Sequence, residues 1–191
     1  TGGMDFVDNT RPLDNAFYRA VRIADPPPSP EPDPLPPRPI LYSEDFESGA
    51  EGWETIASAG ETHWEHGAPN SPKLTAAHSG KHVYGTDLDA PYTNDVVASL
   101  RSPLIDLSDA VRPRLSFWYF VDTTFMVDGV QLRILDEKGI LIWKNEVEDN
   151  FWGTTEEWME FNMPIPSEAS DRKIKLEWLL LSDDSEPNGD G

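Results

Sequence analysis

Between residues 40 and 182, apolar residues fall in short runs separated by Gly, Pro, Asp, Asn and Ser. The spacing predicts strands over 40–46, 62–67, 81–86, 97–107, 114–122, 130–136, 140–147, 157–165 and 173–182. The clearest alternation puts Leu115, Phe117, Tyr119 and Val121 on one face of a strand. Val130, Leu132 and Ile134 pair with Ile140 and Ile142 across the turn "DEKG", with Gly139 free to take the left-handed position. No stretch has helical periodicity, and "SEASDR" (167–172) reads as a turn. Short strands joined by turns predict an all-β antiparallel sandwich.

The pattern changes before residue 40. Nine of the fifteen residues in "DPPPSPEPDPLPPRP" (25–39) are proline. Proline lacks the N–H that a ladder needs and favours polyproline II, so this is a semi-rigid linker of up to ~45 Å. "PSPEP" and "PLPPRP" also permit an SH3-type ligand. Upstream, "AFYRAVRIA" (16–24) alternates like a strand. It resembles the last strand of fibronectin-like or other β-sandwich repeats in bacterial surface proteins, which makes 1–24 the end of an upstream repeat. A lone strand cannot fold by itself.

Charge and composition narrow the function. The formal charge is −20, from 35 acids against 15 bases. Such a surface repels phosphate backbones and argues against a nucleic-acid partner, while it attracts divalent cations. With no cysteine, disulfides, thiolate zinc sites and a cysteine nucleophile are excluded. No run reaches the ~20 apolar residues of a transmembrane helix. The chain opens without Met or a signal peptide and ends at "NGDG", as a piece of a longer protein would.

The order of signals after residue 40 resembles one family. An acidic "DFE" strand and a "GW" turn lead to "SGKHVYGTDLDAPY" (79–92). "ASLRSPLIDLS" (98–108), "PRLSFWYFVD" (113–122), "DGVQLRI" (128–134) and a strand ending in Trp143 follow. This is similar to MAM-type domains, a jelly-roll β-sandwich of concanavalin-like architecture, in the cysteine-free bacterial form found in secreted metalloproteases and adhesins. "SLRSPLIDLS" and "LSFWYFVD" are its most specific pieces. The resemblance implies a domain over 40–191 that lacks its last strand, leaving an exposed sheet edge. It also implies a non-catalytic, extracellular or cell-surface binding, adhesion or accessory module of a bacterial multidomain protein. The parent would then be an adhesin, or a metalloprotease or glycoside hydrolase.

Catalytic motifs are weak. A glycosidase needs two carboxylates at a fixed separation. Asp122 and Asp128 flank a turn but read as solvated strand-end acids. Ser79 lies between His78 and His82 with no "GxSxG". "HWEH" (63–66) is not "HExxH", and His63 and His66 would face opposite ways on a strand, so zinc is disfavoured. Structural Ca2+ suits the oxygen-rich composition better. The family resemblance nominates Glu47 and Asp87, then Asp45 and Asp89, within "EDFE" and "GTDLD". Glu186, Asn188, Asp190 and Gly191 approximate the opening of a calcium loop, against the plainer reading of an acidic loop. Among the Trp residues, Trp118 lies between Phe117 and Tyr119 and reads as belonging to a central strand. Phe151 and Trp152 differ: "NFWGTTEEW" is a Gly/Thr/Asn-rich loop, where aromatics predict a protein or glycan contact.

Overall fold

The computed structural model describes residues 39–184. The upstream strand (1–24), all but the last residue of the linker and the loop holding Glu186, Asn188, Asp190 and Gly191 lie outside these residues. Ten strands follow in chain order: β1 (Glu54–Ala59), β2 (Trp64–Gly67), β3 (Val83–Thr86), β4 (Val97–Arg101), β5 (Ile105–Asp106), β6 (Arg114–Tyr119), β7 (Gly129–Asp136), β8 (Leu141–Lys144), β9 (Met159–Pro164) and β10 (Lys173–Leu181). Single 3₁₀ turns lie at Val147–Asp149 and Ser167–Ala169. Every strand pairing is antiparallel. No helix among the described residues is long and apolar enough to cross a membrane.

The large sheet runs β1-β4-β10-β7-β8, with β5 also on β10. Two smaller sheets, β2-β3 and β6-β9, complete the sandwich. Period-two alternation builds the inner face. Ile174, Leu176, Trp178 and Leu180 of β10 are register partners of Asp136, Ile134, Leu132 and Val130 of β7. Ile105, Leu107, Ile134, Ile174 and Leu176 form one buried cluster, on which Leu115 and Trp178 pack. Tyr92, Val96, Ala98 and Leu180 form a second, against Trp64. Phe117 meets Trp178 edge-on with ring centroids 5.3 Å apart, joining the β6-β9 layer to the large sheet.

The β7-β8 hairpin forms, but in another register than expected: Ile134 lies opposite Trp143 and Leu135 opposite Leu141, and Ile140 falls in the turn. Gly139 takes φ +83°, and the Asp136 carboxylate accepts the N–H groups of Lys138 and Ile140. The strand expected over 97–107 splits instead. Pro103 has no N–H to continue the ladder, so β4 ends at Arg101 and β5 resumes at Ile105. Ser102 bridges the gap: its N–H donates to Leu176 O, and its Oγ accepts from Leu176 N at 2.9 Å.

Two expectations fail. Residues 40–46 form no strand. The Glu44 and Asp45 carboxylates accept the N–H groups of Phe46 and Glu47, taking donors that a ladder would need. Phe46 turns to φ +61° and wedges its ring between Trp53 and Tyr84, with centroids 5.1 and 5.3 Å away. "EDFESGAEGW" is therefore a pair of turns with aromatic anchors, and the first strand is β1. Trp118 does not lie in a central strand either. β6 pairs only with β9 among the described residues, and Trp118 faces outward, 45% exposed, with His78 stacked on it at 3.9 Å.

Candidate functional site

The segment after β8 is stitched down by long-range bonds. The Asn145 side chain accepts Leu132 N–H and donates to Asp149 O, closing the 3₁₀ turn. Phe151 exchanges both backbone bonds with Val130, each 2.9 Å. Gly129 permits this approach, since a Cβ there would meet Phe151 O at 2.8 Å. Thr155 N–H then donates to Val121 O, and Thr123 N–H to Gly153 O. The loop is thus preorganised although it has almost no regular structure.

A cleft of about 470 Å³ opens beside this segment, between β8 and the β6-β9 layer. Its apolar walls are Tyr119, Phe161 and Met163 from the layer, Trp143 from β8, and Trp152. Glu146, Asp149 and Asn150 supply polar groups. Asn150 Oδ1 is buried and has no hydrogen-bond partner. Aromatic walls with a few fixed polar groups, at this volume, are the usual make-up of a small-molecule site.

The two expected ligand-binding aromatics separate. Trp152 lines the cleft, half-buried, and meets Phe125 edge-on at 5.9 Å. Phe151 belongs to the core, 9% exposed, with Tyr119, Phe161 and Phe117 at 4.7, 5.3 and 5.7 Å. Its bridge to Val130 turns the ring inward, so it lines the cleft from its buried side while Trp152 stands more open. Next to Trp152 stands an apolar tip absent from the sequence-based site. Phe125, Met126 and Val127 are 66, 61 and 45% exposed, and Met126 has φ +61°. Three consecutive large apolar residues in a predicted turn were the available signal.

Asp122 and Asp128 are not solvated, as expected from sequence, but buried, each 1% exposed. Asp122 accepts from Lys73 Nζ and Thr154 Oγ1, both at 2.7 Å. Asp128 accepts from the Tyr92 hydroxyl at 2.7 Å and from Asp183 N–H at 3.0 Å. Burial pushes the Tyr92 phenol up, which keeps it a neutral donor. These acids clamp the base of the apolar tip.

The four nominated calcium ligands already hold other partners or stand apart. Glu47 accepts the N–H groups of Lys81 and His82, both at 2.7 Å. Asp45 accepts Glu47 N–H. Asp87 accepts from Thr62 Oγ1 at 2.7 Å, with His63 4.0 Å away. Asp89 is exposed. Among the described residues, no three His, Asp or Glu side chains are grouped to share a metal. The amide and hydroxyl bonds engage one carboxylate oxygen of each acid, Glu47 Oε1 and Asp87 Oδ2, so the second oxygen is the one a cation would meet.

The Lys81 and His82 N–H groups hold the Glu47 carboxyl below its ordinary value. An acid with a depressed folded value stabilises its surroundings fully above the unfolded value, and the effect disappears as pH falls through the folded value. The Lys81 and His82 amide resonances should therefore titrate together, with a midpoint below that of a free glutamate. Glu47→Gln should abolish that step; amide shifts that stay flat through the acid range in the parent chain would contradict the staple.

No family model matches the chain. It is 32% identical over 146 residues to Bacillopeptidase F of Bacillus subtilis (strain 168), a match covering 75% of this chain. The chain spans about a tenth of the length of that curated relative, 10% of it. Among solved structures it is similar to TmCBM61 in complex with β-1,4-galactotriose, with 15% identity and a TM-score of 0.44 over 75% of this chain and 88% of that one. It is also similar to the K2 cleaved adhesin domain of Lys-gingipain, with 15% identity and a TM-score of 0.46 over 73% and 94% of the two chains.

Proposed function

We propose that residues 40–191 are a MAM-like accessory domain of a larger exported bacterial protein, non-catalytic and extracellular or at the cell surface, which binds a glycan in the cleft beside Trp152. The cleft carries this reading: its aromatic walls match the apolar faces of pyranose rings, and the acids in its lining, Glu146 and Asp149, accept from sugar hydroxyls. The match to a tenth of the length of Bacillopeptidase F supports a domain of a larger exported protein.

Trp152→Ala tests it. Truncating an aromatic anchor in a binding site costs about 2 kcal/mol, roughly thirtyfold in affinity. A glycan array should identify ligands of the parent chain, and calorimetry below the unfolding transition should show that loss in the variant. Unchanged affinity for every ligand found would rule out the cleft as the binding site.

A further inference from the structure

The next step rests on the glycan reading of the cleft and concerns which glycans enter it. We infer that the cleft accepts uncharged sugars and rejects anionic ones, whether uronates, sialates or sulfated sugars.

The charges around it are one-sided. Segment 145–157, "NEVEDNFWGTTEE", holds five acids, Glu146, Glu148, Asp149, Glu156 and Glu157, and no Lys or Arg. Glu146 and Asp149 line the cleft directly, and the other three are exposed on the same segment. Lys144 is the one basic residue in the lining. Its register partner on β7 is Arg133, which bonds Glu177 on the outer face of the sheet. Cross-strand partners project to the same side, so the Lys144 side chain leaves from that outer face, while its neighbour Trp143, opposite Ile134, points inward. One ammonium leaving from the outer face offsets at most one of the two lining carboxylates. A bound anion would lie within a Debye length, ~8 Å at physiological salt, of acids that outnumber the single Lys144.

The same acids suit a neutral ligand. Carboxylates are acceptors only, and hydroxyl donors bond strongly to them. The cleft thus presents acceptors to a ligand rich in O–H donors. Replacing a ring hydroxymethyl by a carboxylate removes a donor and adds a repelled charge.

The test uses the 191-residue chain and any neutral oligosaccharide bound in the array, beside the same oligosaccharide oxidised at C6 to its uronate. The uronate should bind about tenfold or more weakly, and added salt should narrow the gap by screening the repulsion. Glu146→Gln with Asp149→Asn should also narrow it, by strengthening uronate binding relative to the neutral form. A uronate that binds the parent chain as well as its neutral counterpart overturns the charge selection while leaving glycan binding intact. A gap that neither salt nor the double variant narrows also overturns it, since the lost hydroxyl then explains the preference. If no glycan of either class binds, glycan binding and the selection both fail.

Discussion

Phe151→Ala is expected to lower the unfolding free energy by about 4 kcal/mol, within the range for deleting a buried phenylalanine ring. The ring is enclosed by Phe117, Tyr119 and Phe161, each of which would lose an edge-to-face partner. The backbone bridge to Val130 holds residue 151 in place, so its neighbours cannot collapse far into the space left. Phe151→Leu keeps much of the volume and should cost less than about 1.5 kcal/mol. Urea unfolding would read both, as a lower midpoint at constant m-value. A loss under about 1 kcal/mol for the alanine variant would mean that the ring lies outside the core.

Glu177→Ala should be the second most damaging change, at about 3 kcal/mol. Glu177 is 2% exposed on the outer face of β10. Arg101 Nε lies 2.7 Å from one carboxylate oxygen, and an Arg133 guanidinium nitrogen 3.5 Å from the other. Removing the acid leaves two guanidinium groups on the strands either side of β10 with no anion between them. Replacing all three residues by apolar ones of similar volume should cost far less, because the desolvation penalty disappears with the charges. A double-mutant cycle between Glu177 and Arg101 would isolate the coupling. Additive effects there would show the triad to be three independent surface groups.

The fold class was legible because most strands obey the two-residue alternation. β6 and the β7-β8 hairpin follow it closely, the hairpin with its partner next in sequence and β6 with β9 far along the chain. β1, "ETIASA", carries no such signal because it is a largely exposed edge strand of small and polar residues. Residues 40–46 misled because their apolar spacing was genuine while their carboxylates captured the local N–H groups. The site was half legible. Phe151 and Trp152 are neighbours with similar chemistry, and only a bond to Val130, 21 positions upstream, sends one ring inward. Tyr119, Trp143 and Phe161 carry the pattern of core residues. They become cleft walls because two layers diverge beside them, a property of packing that strand periodicity does not encode. The burial of Asp122 and Asp128 likewise depends on Lys73 and Tyr92, dozens of positions upstream.

Both outer strands of the large sheet pair irregularly. The β1-β4 register shifts between Ala57 and Ala59, and the β7-β8 register shifts between Ile134 and Leu135. A bulge twists a strand and breaks its even row of donors and acceptors. Neither flank of that sheet therefore offers a straight template on which a neighbouring molecule could add a strand. Wherever copies of the domain crowd together, two small slips of register would help to keep crowding from turning into fibre growth.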